Sequence, residues 1–233
     1  MNKYDSLKEE AYLANMEIPK HGLAIYTFGN VSAYDKENAV FAIKPSGVPY
    51  DELQVADMVI VDLKGTVVDG SLNPSSDTMT HAVLYSAFEG LGGIVHTHSP
   101  YAVGWAQAMR SIPIYGTTHA DHLPGNVPCT EVMADSMIEG DYEVETGNQI
   151  LNVFREKSLS HKEYEMVLVA CHGPFSWGKD AMKAVYNSVV LEELAKMALF
   201  TEQANPQTPE LKQGLIMKHY ERKHGKNAYY GQK

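Results

Sequence analysis

The pattern of apolar and polar positions opens on a helix. Over residues 4–18, Leu7, Ala11, Ala14 and Ile18 recur at helical spacing, and the stretch PKHG at 19–22 stops the run. Short apolar runs follow. LAIYTF (23–28), VFAIK (40–44) and MVIVDL (58–63) predict strands, the last turning through Lys64 and Gly65 into TVV as a hairpin. DTMTHAVLYSAFEG predicts a helix stopped by Gly90, GGIVHTH the next strand and PYAVGWAQAM the next helix. SIPIYGTTHADHLPGNVPCT is rich in Pro, Gly and Thr and reads as mostly loop. Beyond it, GNQILNVFREK reads as a helix and MVLVACHG as a strand. DAMKAVYNSVVLEELAKMALFTEQ is the longest helix, and PELKQGLIMKHYERKHG the last, before the tail KNAYYGQK. Hairpin signals with interspersed helices predict an α/β fold of helix–sheet–helix layers, rich in antiparallel pairs rather than a doubly wound parallel sheet. Nothing repeats and no linker interrupts the pattern, so residues 1–233 read as a single domain.

Composition narrows the class. The 233 residues are 44% apolar, enough for a sizeable core. A net charge of −10 argues against a nucleic-acid footprint, although a local site field can still hold a small anion. Cys129 and Cys171 lie far apart with no C-x-x-C pair, which disfavours a disulfide framework and a four-cysteine zinc site. The first residues are polar and amphipathic, and no stretch approaches 18 apolar residues. The expectation is a cytoplasmic protein with no membrane partner.

The chemistry begins at GGIVHTHSP (92–100). If GGIVHTH is a strand, His96 and His98 share a face and Thr97 points away. Two imidazoles at the end of an apolar strand can converge on one ion. VLVACHGPF offers a matching case, an apolar strand ending in His172. Three histidines leave a fourth position open, the layout of a catalytic zinc. His119 and His122 compete as ligands through their own H-x-x-H spacing, while His81 falls on a helix and reads as structural. His21, His161, His219 and His224 sit in polar surroundings and read as solvated.

Three small-residue stretches, FGNVS, KPSG and NPSSDT, suit close approach of backbone N–H groups to an anion, and Lys44 could add a full charge. Ser75 and Ser76 precede a predicted helix, whose N-terminus favours phosphate. Each stretch is equally an ordinary turn or cap, and no P-loop or G-x-G-x-x-G pattern supports a nucleotide. Asp77 is a helix cap or a carboxylate ligand to the metal. Asp121, between two histidines, is either a solvated loop residue or a base next to a carbonyl.

Taken together, GNVSA, IKPSGV, PSSDT-x-TH, GGIVHTHS, GTTHAD, VPCT, HGPF-x-WGK and KHY-x-RKHG-x-x-AYYGQ resemble the L-ribulose-5-phosphate 4-epimerases of the class II aldolase/epimerase superfamily. The likeness runs nearly the whole length, and AYYGQK marks the epimerase branch more than the aldolases. The resemblance implies a three-layer α/β/α sandwich around a mixed, mostly antiparallel sheet. It also implies a homotetramer with active sites between subunits and a sugar-phosphate substrate. It makes His96, His98 and His172 ligands of one zinc ion, with Asp77 at or near the metal. Gly29, Asn30, Ser46, Gly47, Ser75 and Ser76 become the substrate and phosphate cradle. Asp121 and Tyr230, from a neighbouring subunit, become the acid–base pair, with His219, Arg222 and Thr117 behind them. The implied reaction breaks and re-forms the C3–C4 bond of a ketopentose phosphate, while a simple aldolase would release the fragments. Departures are small: His122 and Leu123 stand where relatives carry an aromatic pair, and Ser176 replaces a more usual alanine.

Overall fold

The computed structural model describes residues 3–226, 228 and 229. Helix α1 (Asp5–Lys20) leads into β1 (Asn30–Asp35), β2 (Val40–Ile43), a 3-10 turn at Val55–Asp57, β3 (Val59–Asp62) and β4 (Val67–Asp69). Helix α2 (Thr78–Ala87), β5 (Gly93–His96) and α3 (Pro100–Gln107) follow, then the short helices α4 (Thr117–Ala120) and α5 (Asp135–Ile138). Helix α6 (Tyr142–Glu156), β6 (Met166–Val169), β7 (Gly173–Gly178), α7 (Ala181–Ala204) and α8 (Gln213–His224) complete the chain.

The strands form one sheet in the order β4-β3-β2-β1-β5-β7-β6, and every neighbouring pair is antiparallel. The expected α/β sandwich is present, with a sheet more uniform than the mixed one expected. The only parallel pairing among the described residues is an isolated bridge between Cys129 and Leu168.

Period-two alternation builds the layers. Val40 and Ala42 of β2 face α1 and α7, whereas Phe41 and Ile43 face α2 and α6. Ala11, Ala14 and Ile18 of α1 are fully buried, as their spacing predicts. Between them Asn15 acts as an extra piece of ladder: its Oδ1 accepts the Val31 N–H at 2.9 Å and its Nδ2 donates to the Val31 carbonyl at 2.8 Å. That fixes the start of β1, where Asn30 begins the site. The opposite face is packed by Phe41, Phe175 and Trp177, each under 2% exposed and each contributing about 2–3 kcal/mol through burial. The Gly92–Gly93 pair is set by packing: a Cβ on either would collide with the backbone at Lys179 to Ala181, where the chain enters α7.

Four local expectations need correction. LAIYTF is not a strand. Tyr26 (φ 53°) and Gly29 (φ 74°) break the extended path, Phe28 N–H closes a turn on the Ile25 carbonyl, and the strand is NVSAYD instead. Strand β5 stops at His96, so His98 lies beyond the ladder. Strand β6 stops at Val169, and His172 sits in the turn before β7. Positive φ at Cys171 (61°) turns the chain there. The loop expected at 111–130 contains α4.

Candidate functional site

The three histidines meet. His96, His98 and His172 each present a ring nitrogen, and the three nitrogens lie within 4.8 Å of one another. Tetrahedral zinc, at ~2.0–2.1 Å from each ligand, spaces its ligand atoms by about 3.3 Å, close to this arrangement. His96 is buried and stacks on Phe175 with ring centroids 4.3 Å apart. Its Nδ1 lies 3.0 Å from the Pro174 carbonyl. That bond takes the proton on Nδ1 and leaves the Nε2 lone pair facing the cluster, as a metal ligand requires. His172 Nδ1 is buried without a hydrogen-bond partner among the described residues. Burial, reinforced by His96, lowers the His98 pKa and brings His172 down to about 4. Both rings are therefore neutral near pH 7, the form that binds metal. The residues fit a divalent cation with an open coordination position.

The three small-residue stretches converge on this cluster. Together with the histidines they line a cleft of about 500 Å³, to which Gly29, Asn30, Lys44, Ser46, Gly47, Ser75, Ser76 and Asp77 all contribute. Two of the turns are stitched to each other: Ser75 N–H donates to the Lys44 carbonyl, Ser46 N–H donates to the Asn73 carbonyl, and Pro45 bridges Pro74. Gly29 has φ 74°, and a Cβ there would stand 2.7 Å from the His96 carbonyl oxygen. Only glycine lets this loop close on the strand that carries His96.

Asp77 precedes α2 but its side chain makes no cap bond. Instead the carboxylate accepts from Asn30 Nδ2 at 2.7 Å. Burial raises its carboxyl, but His96, His81 and the Asn30 amide outweigh burial, and its pKa is lowered. Lys44 is 1% exposed, and burial brings its ammonium down to about 8. It remains largely charged near pH 7 in a cleft whose lining also includes the acidic Asp77 and Glu143. Behind Asp77, the structural expectation for His81 is met. It is fully buried, with Nδ1 2.7 Å from Ser32 Oγ, which also meets Tyr85 Oη at 2.7 Å.

Three lining residues outside the stretches singled out in the sequence escaped the sequence reading: Thr27, Tyr142 and Glu143. The helix expected at 147 begins at Tyr142, which brings Tyr142 to within 6.2 Å, ring to ring, of His172. The acidic first turn, Glu143 and Glu145 after Asp141, was the available start signal.

Asp121 is not among the residues lining the cleft. It follows α4 and is gripped by α8: Arg222 donates from Nε at 2.9 Å and from Nη2 at 2.7 Å, and His219 Nδ1 lies 3.0 Å away. Thr117 is joined to it through the backbone, its carbonyl accepting the Asp121 N–H. Burial raises the Asp121 carboxyl, but Arg222, His219 and Lys223 together hold it below the usual range. The solvated reading of His219 therefore fails. His119 and His122 do not join the metal cluster; His119 is 4% exposed, and His122 faces Tyr186. Tyr230 lies outside the described residues.

No helix among the described residues is long and apolar enough to cross a membrane. The chain is similar in fold to L-fuculose 1-phosphate aldolase, with 22% identity over 93% of this chain and 95% of that one and a TM-score of 0.77. It is also similar to L-fuculose 1-phosphate aldolase from Glaciozyma antarctica PI12, with 18% identity, 97% and 84% coverage and a TM-score of 0.76. The YgbL protein of Klebsiella pneumoniae matches at 23% identity, 94% and 99% coverage and a TM-score of 0.71. Residues 9–199 match the family model for the class II aldolase and adducin N-terminal domain. With that match spanning most of its length, and with the family fold, the chain belongs to the class II aldolase family.

Proposed function

We propose that this protein is a zinc-dependent epimerase interconverting L-ribulose 5-phosphate and D-xylulose 5-phosphate. The observation that carries the reading is the junction of His96, His98 and His172 with three small-residue turns in one cleft. A non-catalytic binding module has less use for the Asp121 cluster or the tail AYYGQK, since binding alone needs neither acid nor base.

Zinc held by the three histidines would supply Lewis acidity to a substrate carbonyl. The Ser46–Gly47 and Ser75–Ser76 turns bind the phosphate, with Lys44 adding charge. Asn30, fixed by Asp77 and Ser75, orients the sugar hydroxyls; the Asp77 carboxylate, which is not part of the three-histidine cluster, would act beside the metal by holding Asn30 rather than as a ligand. Inverting C4 requires the C4 hydroxyl proton to leave on one face and return on the other as the C3–C4 bond breaks and re-forms. Asp121, held ionised by Arg222, His219 and Lys223, takes that proton on one side. Tyr230 serves the other side. The phosphate grip retains the aldehyde fragment while it turns.

Asp121 stands outside the cleft of its own chain, so this reading requires a second copy to bring it to the metal. The proposed assembly is a homotetramer with active sites between subunits. The exposed Phe28 of the cleft lining, with Ile25 and Tyr26 exposed in the same loop, suits such a contact.

A class II sugar-phosphate aldolase is the second reading, favoured by the fold likeness to L-fuculose 1-phosphate aldolase. Incubation of the purified protein with L-ribulose 5-phosphate, with and without chelator, separates the two. D-Xylulose 5-phosphate formed only with metal supports the epimerase. Glycolaldehyde phosphate as the main product supports the aldolase, and conversion of neither kind rejects both.

A further inference from the structure

We propose that Glu192, on α7, is a positioning residue for the metal site. It takes the first free N–H groups of α3 and thereby sets where His98 stands relative to His96 and His172. The inference rests on the metal reading of those three histidines and deepens it.

The sheet does not place His98. Ladder pairing of β5 ends at His96, and the next backbone bond, Thr97 N–H to the Pro174 carbonyl, is long at 3.4 Å. The next fixed point along the chain is the start of α3, two residues after His98. That helix has no cap of its own: Ser99 makes no side-chain cap bond, and Pro100 occupies the first turn and brings no N–H. The cap comes instead from α7. Glu192 Oε1 accepts the Tyr101 N–H at 2.9 Å and Oε2 accepts the Ala102 N–H at 2.8 Å. Glu192 is 8% exposed, and the helix N-terminus supplies the positive end that a buried carboxylate requires.

The far end of α3 reaches the other ligand. The Ala106 carbonyl accepts the N–H of Cys171, the residue before His172, at 2.9 Å. Trp105 Nε1 donates to the Ala195 carbonyl of α7 at 2.9 Å. Helix α3 is thus a rigid spacer of about 12 Å: one end leads directly from His98, the other holds the turn carrying His172. Glu192 anchors the first end. A metal is exacting about ligand geometry, and groups that only orient ligands commonly change affinity by 10- to 100-fold.

The test compares metal-stripped wild type with Glu192→Gln, which keeps the side-chain shape but turns an NH₂ toward a backbone N–H. Glu192→Asp, too short to reach both N–H groups, is the second variant should the first not fold. Trp105→Phe is the control for general loosening of α3 against α7. Zinc affinity is measured by competition with a chromophoric chelator, below the Tm of every variant, and the visible spectrum is recorded with Co²⁺ in place of zinc. The expected result is zinc binding weakened at least tenfold in the Glu192 variant, with an altered Co²⁺ band, while Trp105→Phe lowers Tm and leaves the zinc Kd within about twofold. Unchanged zinc Kd and Co²⁺ spectrum in the Glu192 variants overturn the inference, as does an equal loss of affinity in Trp105→Phe. Failure of the wild type to bind any metal removes the metal reading itself, a different outcome from wild-type binding that Glu192 does not affect.

Discussion

The Nε2 atoms of His96 and His98 lie 3.0 Å apart, although one residue ends a strand and the other stands outside it. Without an ion, one Nε2–H can donate to the other ring's lone pair; with both protons on Nδ1, the two lone pairs are close enough to serve a common ion. Replacing His98 with Asn should therefore remove metal and activity together. The expected loss of zinc affinity is about a hundredfold or more, beyond what groups merely orienting ligands contribute. Metal analysis after dialysis checks it, and stoichiometric zinc in the variant would reject His98 as a ligand.

Arg222 and Asp121 form a two-pronged ion pair. Asp121→Asn should lower kcat by about 10²-fold or more if this carboxylate moves a substrate proton, and should cost about 1–3 kcal/mol of stability from the lost charged hydrogen bonds. Arg222→Ala tests the same pair from the other side. Without the guanidinium the Asp121 carboxyl rises, so the acid limb of the pH–rate profile should move to higher pH. A profile that does not move would separate Asp121 from the titration that matters.

Tyr230→Phe should cut epimerisation strongly and leave Tm unchanged, since only a hydroxyl is lost from the tail. Near wild-type turnover would remove Tyr230 as the second acid–base group.

Gly29→Ala should place a methyl 2.7 Å from the His96 carbonyl at a residue with φ 74°. The backbone strain alone costs about 1–3 kcal/mol, and the push on His96 should weaken zinc binding as well. Thermal melts with and without zinc measure both effects. A variant with wild-type stability and affinity would mean that the loop moves aside freely.

Burial brings the His119 imidazole down to about 4 from an ordinary 6.5. The unfolded chain therefore binds a proton below pH 6.5 that the folded protein refuses. The stability from keeping His119 neutral is complete above about pH 6.5 and declines as pH falls towards 4. Between pH 7 and pH 5 this amounts to about 2 kcal/mol. Urea unfolding at both pH values should show wild type losing about that much more than His119→Gln, and equal losses would sink the assignment.

Much of the fold was legible because its signals are local. The helical spacing of Leu7, Ala11, Ala14 and Ile18 and the turn at Lys64 and Gly65 needed no long-range information. LAIYTF misled because its apolar residues suit a strand, whereas Ile25, Tyr26 and Phe28 are exposed in a loop. Tyr142 and Glu143 were missed because α6 starts five residues before its apolar periodicity becomes clear, at 147.

The sequence by itself determined the histidines and small residues that meet in the cleft and the α/β layering, because side-chain chemistry and apolar period are properties of short segments. Only the tertiary structure decided that His172 faces His96 and His98 from a turn rather than a strand end. It also decided that Asp77 serves Asn30 instead of capping its helix, and that Glu192, 90 residues from Ala102, closes the helix that carries His98 into place. Those relations depend on which elements pack against one another, and packing is set by the whole core at once rather than by any stretch of the chain.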